Sequence, residues 1–122
     1  MYNPMDLGGR AFLITGASSG IGRETAILLS RLGARLALAG RNDTRLAETH
    51  ASLEGEGHEI VSFDLSRGDE IPAWIKGVAS TMGPLAGLVH AAGIQKLLPL
   101  KMVESRDVES VLHINVASAV ML

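Results

Sequence analysis

With 122 residues, 47% of them hydrophobic, the chain is long enough for one domain around a single core and too apolar to be a disordered tail. A net charge of −2, scattered lysines and arginines, and a single Trp, a single Tyr and two Phe leave neither an electrostatic footprint nor a stacking platform for nucleic acid. The lack of cysteine excludes disulfides and thiolate chemistry, and with no signal-peptide pattern in Met-Tyr-Asn-Pro-Met-Asp and no membrane-length apolar run, a soluble cytoplasmic protein is expected.

The apolar run Ala11-Phe-Leu-Ile14 predicts a strand over residues 11–15, followed by a glycine-rich turn. A helix is expected over residues 20–32, with Ile21, Leu28, Leu29 and Leu32 on its core face and Gly33 as its left-handed stop. Residues 35–39 read as a second strand. Asn42 or Asp43 can cap the next helix, on which Leu46, Ala47, His50 and Leu53 share a face. Residues 60–63 form the expected third strand. Ile71, Trp74, Ile75, Val78 and Met82 make an apolar stripe on a helix over residues 69–82, with Pro72 in its first turn and Gly83-Pro84 at its end. Residues 88–90 predict a fourth strand. Ser105 can cap a last helix bearing Val108, Val111, Leu112, Asn115 and Val116 on one face. Strands alternating with helical crossovers imply an α/β fold with a parallel sheet and right-handed connections. By analogy with the Rossmann-type doubly wound fold, the strand order should be 3-2-1-4.

Chemistry concentrates in Thr15-Gly-Ala-Ser-Ser-Gly-Ile-Gly22, between the first strand and the first helix. A helix N-terminus presents outward amides and a dipole that favours an anion, and Gly16, Gly20 and Gly22 let backbone approach a pyrophosphate. The spacing G-x-x-x-G-x-G fits the generic dinucleotide fingerprint only loosely. Ser18 and Ser19 can bond phosphate or ribose oxygens, or cap the helix; Ile21 reads as core. The same residues spell G-x-S-x-G, the nucleophile elbow of α/β-hydrolases, with Ser18 as nucleophile. Too few residues precede that elbow to supply the earlier strands, and this reading gives Thr15, Gly22 and Arg41 no role. A glycine-rich turn without function is the third possibility.

Thr15-Gly16-x-x-x-Gly20-Ile21-Gly22 resembles the cofactor motif of the single-domain short-chain dehydrogenase/reductase family. Gly40-Arg41, Asp64-Leu65 and His90-Ala-Ala-Gly93 fall where that family would place them, so the resemblance runs from about Gly9 to the C-terminus. An Asp or Glu after the second strand would bond a ribose 2′-hydroxyl, whereas Arg41 can pair with a 2′-phosphate, which implies NADP(H) rather than NAD(H). The alternative for Arg41 is a solvated surface residue. Family members that prefer NADP often carry a second basic residue before the middle glycine, where this chain has Ser19. The resemblance makes Asp64 an acceptor for the adenine amino group, with Leu65 backbone nearby; the alternative is a turn cap through Ser66. Ala91, Ala92 and Gly93 would let backbone approach the cofactor. His90 and Ala91 depart from the family's Asn-Asn-Ala-Gly, and His90 retains one ring hydrogen bond to offer. Four histidines without H-E-x-x-H spacing make a metal site unexpected. For Asn115 the resemblance implies a water-holding role in a proton relay; the alternative is a satisfied core amide that bends the helix.

The activity implied is hydride transfer between a nicotinamide and a small-molecule carbonyl or alcohol, with a Tyr acid/base, a Lys four residues on and a substrate-orienting Ser. The chain has no Tyr-x-x-x-Lys: its only tyrosine is Tyr2 and its last lysine is Lys101. Residues 1–122 therefore read as the N-terminal, cofactor-binding part of one Rossmann domain, without the catalytic half and inactive alone. A non-catalytic nucleotide-binding or interaction module is the alternative. The apolar last helix is expected to pack against a second copy in a homo-oligomer.

Overall fold

In the computed structural model, which describes residues 2–122, β1 (Ala11–Thr15), α1 (Gly20–Arg31), β2 (Arg35–Ala39), α2 (Asp43–Ala51) and β3 (Glu59–Ile60) follow one another. A 3₁₀ turn, Gly68–Glu70, leads into α3 (Ile71–Met82) and β4 (Leu85–His90). The sheet order is β3-β2-β1-β4, and all pairings are parallel. This is the Rossmann-type doubly wound α/β arrangement and the 3-2-1-4 order expected.

Side chains alternate across a strand, so β1 and β2 feed two cores at once. Ile14, Leu36 and Leu38 pack with Ala26 of α1 and Leu46 of α2 on one face. Ala11, Leu13, Ala37 and Ala39 pack with Val78 and Met82 of α3 on the other. Each leucine buried this way contributes roughly 1.5–3 kcal/mol. Burial on both faces explains why β2 reads as the continuous apolar run Leu36-Ala-Leu-Ala39.

Several local expectations are corrected. The buried residues of α1 are Gly22, Ala26 and Ser30, whereas Ile21 is 81% exposed and Leu28 is exposed too. Small residues take the innermost line of the helix, and of the expected apolar residues Leu29 does pack, half-buried, against that core. On α2, Leu46 and Thr49 are buried, while Ala47 and His50 are exposed. Asn42 is the cap, its Oδ1 accepting from the Arg45 amide at 3.0 Å, and the Asp43 carboxylate accepts from the Ser62 hydroxyl instead. β3 is shorter than expected, yet Val61 N–H donates to Leu38 O and Phe63 N–H to Gly40 O, so one side of the ladder continues. β4 begins at Leu85 rather than residue 88, because Gly87 interrupts the apolar pattern where the Phe12 ring lies: a Cβ there would come within 2.8 Å of it. Residues 68–70 form the 3₁₀ turn rather than the start of α3.

After Gly93 the chain runs without a strand to α4 (Ser105–Leu112). Its cap is Glu104, not Ser105. Glu104 and Asp107 form a reciprocal capping box, in which the Asp107 carboxylate accepts from the Glu104 amide at 2.9 Å. A π-helical turn, His113–Ala117, then joins α4 to α5 (Ser118–Met121). Val108, Leu112 and Val116 are exposed.

Candidate functional site

A cleft of about 560 Å³ opens at the carboxyl ends of the strands, between β1 and β4, where the strand order reverses. Open α/β sheets place their ligands at such a switch point. Of the residues singled out in the sequence, Gly16, Ser18, Ser19, Gly20, Ile21, Arg41, Asp64, Leu65, Ala91, Ala92 and Gly93 line it. Gly22 and Asn115 do not: each acts through a neighbour.

The three glycines answer to three different constraints. Gly16 has φ +65° and no room for a Cβ, which would lie 2.6 Å from the Ala91 carbonyl carbon and Ala92 nitrogen. Gly20 has φ +57° and faces open space. At Gly22 a Cβ would sit 2.0 Å from the Gly16 carbonyl oxygen, so this buried glycine lets α1 start directly beneath the loop. Ser19 is the N-cap residue of α1, but its side chain makes no capping bond. The cap expected of the serines is therefore not formed, and the first-turn amides, which lack intrahelical acceptors, are left to the cleft.

Polar contacts hold the loop from both sides. The buried Thr49 hydroxyl donates to Ala17 O at 2.8 Å, and Arg23 Nε donates to Thr49 Oγ1 at 2.9 Å. On the other side, Ala92 N–H donates to Thr15 Oγ1, which also shares a 2.7 Å hydrogen bond with His90 Nδ1. His90 Nε2 is buried without a partner among the described residues, and burial lowers the ring's pKa, so the imidazole is neutral at pH 7.

Arg41 and Arg45 line the cleft beyond β2, and neither forms an ion pair among the described residues. Asp64, after the neighbouring strand β3, lines the same cleft. The Ser66 backbone N–H (2.9 Å), and then the Ser66 hydroxyl, hold its carboxyl below the usual carboxylate range; Arg41 and Arg67 act in the same direction. The turn cap through Ser66 is thus formed, and it leaves Asp64 on the cleft wall. Phe63 beside it is backed by Trp74, the rings stacked at 4.6 Å.

Asn115 lies in the π turn and is exposed, not buried on an apolar face. Its Oδ1 accepts from Ile94 N–H at 2.8 Å and its Nδ2 donates to Ile94 O at 2.9 Å. Ile94 and Ile114 line the cleft, so this clamp fixes the wall that follows β4.

The sequence profile of the short chain dehydrogenase family matches residues 10–122. The chain belongs to that family. Among curated short chain dehydrogenases and their kin, it is 36% identical over 112 residues to carbonyl reductase family member 4 of Danio rerio, covering 92% of this chain and 47% of that protein. It is 35% identical to gluconate 5-dehydrogenase of Gluconobacter oxydans, covering 90% and 44%. An Escherichia coli CFT073 protein assigned to the short chain dehydrogenases, solved in complex with NADPH, superimposes with a TM-score of 0.86 at 29% identity, covering 98% of this chain and 53% of that one. The chain spans about half the length of the curated relatives it matches. Family membership removes the hydrolase alternative for Ser18, to which no acid–base partner is hydrogen-bonded among the described residues.

Sequence reasoning missed Asn42, Arg45, Phe63, Ile94 and Ile114 as cleft residues, and Thr49 as a loop anchor. For Thr49 a signal existed: it is a hydroxyl three residues after Leu46, in register with the buried face of α2.

Proposed function

We propose that this oxidoreductase-family chain is the dinucleotide-binding part of an NADP(H)-dependent carbonyl reductase or alcohol dehydrogenase. The observation that carries the reading is the pair of arginines, Arg41 and Arg45, lining the cleft beyond β2, with Gly40-Arg41 directly after the strand and the nearest acidic residue, Asp43, occupied by the Ser62 hydroxyl. A 2′-phosphate is the dianion that suits such a place. The glycine loop and first-turn amides of α1 would hold the pyrophosphate, Asp64 and Leu65 the adenine side, and Ala91, Ala92 and Gly93 the wall opposite. Bound there, the nicotinamide supplies or accepts hydride. The chain's own residues bind and orient; Asn115 holds Ile94 with one bond from each amide atom, and the second acceptor site and second N–H of its side chain remain for the water-relay role that the resemblance implies.

Hydride transfer to a ketone develops negative charge on oxygen and needs a positioned acid, whose loss typically costs about 10²–10⁴ in rate. Tyr2 lies ahead of β1, is exposed and does not line the cleft. The 122 residues alone should therefore bind cofactor without turning over aldehydes or ketones, the remaining groups being supplied by further polypeptide. A small carbonyl or alcohol substrate, a cytoplasmic location and no role in nucleic-acid binding complete the proposal, with a homo-oligomer formed through Val108, Leu112 and Val116 of the last helix.

Calorimetric titration tests the cofactor choice. NADPH should bind more tightly than NADH, and Arg41→Ala should remove most of the difference while leaving NADH nearly unchanged. Equal affinities in the unmutated chain overturn the assignment.

A further inference from the structure

Two segments outside the strands face each other across the cleft: the turn after β3, with Asp64 and Leu65, and the stretch from Ala91 to Ile94 after β4. Asn115 clamps the second through Ile94. The first is tied to the same helical turn, because His113 Nε2 lies 2.7 Å from Ser66 O. A carbonyl oxygen only accepts, so Nε2 carries the hydrogen and donates it. The ring also rests on Gly68, where a Cβ would come within 3.1 Å of its Cε1. Ser66 is the hinge of the turn that presents Asp64: its amide donates to Asp64 Oδ1 at 2.9 Å, and Arg67 N–H donates to Asp64 O at 3.0 Å. Ile114, between the two tethering residues, lines the cleft itself. Three successive residues of the π turn thus reach one wall, the cleft and the other wall.

We infer that His113 is a positioning residue that holds the Asp64–Leu65 wall at the spacing from the Ala91–Ile94 wall that a bound dinucleotide requires. The inference rests on the NADP(H) reading above for its ligand, but its geometry can be tested without one. His113→Leu keeps bulk and removes the donor; His113→Gln keeps an N–H of similar reach. In the cofactor-free chain, hydrogen exchange read by NMR at the Ser66 and Arg67 amides should quicken about fivefold in His113→Leu, the scale of one net hydrogen bond, and stay within about twofold in His113→Gln. NADPH affinity should follow the same split, weakening about fivefold in the Leu variant and recovering in the Gln variant. Exchange that is unchanged in both variants, or raised equally in both, overturns the inference, as does an NADPH affinity that the Leu variant leaves intact. Exchange that follows the donor in a parent chain unable to bind NADPH refutes the NADP(H) reading and, with it, the ligand assigned to the spacing.

Discussion

From β1 through α2, Ile21 and Leu28 apart, the large apolar side chains turn inward, and Leu13, Ile14, Leu36, Leu38 and Leu46 are fully buried. From Ala91 onward the pattern inverts. Leu97, Leu100 and Val120 are almost wholly exposed, Val108, Leu112 and Val116 about half so, and only Ser118 is buried in this stretch. The first region is shaped by what it buries. The second is shaped by polar tethers: the Glu104–Asp107 box, Lys96 on Asp107 at 2.9 Å, Asn115 on Ile94 and His113 on Ser66. Such tethers fix geometry but contribute only about 0.5–1.5 kcal/mol each, so the second region should open locally long before the first.

Substitutions can break or sharpen this contrast. The largest effect is expected at the join between α1 and its loop: Gly22→Val drives a branched side chain into the Gly16 carbonyl and should abolish NADPH binding by calorimetry along with the cooperative thermal transition. Gly20→Ala, strained by its positive φ but facing open space, should cost about 1–2 kcal/mol and leave the fold intact. Within the first region, Leu38→Ala should lose more than Gly20→Ala, about 2–5 kcal/mol in urea unfolding. Val120→Ser should stay within about 0.5 kcal/mol. Similar losses at the two positions would erase the difference between the regions.

The smallest effect is a pH slope. Burial depresses the folded-state pKa of His90, so as pH falls below about 6.5 the unfolded chain takes up a proton that the folded chain resists. Stability should decline through that window and level off below the folded value. His90→Asn, which puts the family's amide in this place, should flatten the slope. Asp64 and Asp107 act separately: their lowered pKa values give stability that is present above the carboxylate range and lost as pH falls through their folded values. A slope between pH 5 and 7 that survives in His90→Asn would assign it to another group.

The strands, their order and most of the cleft were legible because two periodicities and four short motifs coincide. Short continuous apolar runs exposed β1 and β2, and Gly16, Arg41, Asp64 and Ala92 each follow a strand and so meet at one end of the sheet. What escaped were contacts whose geometry depends on distances between elements. The inner face of α1 was misread in part because bulk was taken as the mark of burial: Leu29 does pack on the core, but close helix–sheet approach selects Gly22 and Ala26 over Ile21 and Leu28. Asn115 was expected on a buried apolar stripe. The π turn rotates it out of the helical register on which that expectation relied, toward Ile94. His113 carries no local signature, and the register of Thr49 with Leu46 marks its burial but not its partner, since Ser66 and Ala17 are far away in the chain.

β1 pairs with β2 along one side and with β4 along the other, Thr15 opposite both Ala39 and His90. The two partners become available at very different moments of synthesis. β2 leaves the ribosome shortly after β1, but Leu85 follows Ala11 by about 70 residues, or roughly 4–15 seconds at ordinary elongation speeds of about 5–20 residues per second. Throughout that interval the most apolar strand of the nascent chain offers an open row of amides and carbonyls to any passing strand. A chaperone that shields emerging chains would thus raise the yield of this protein most by acting before β4 is made.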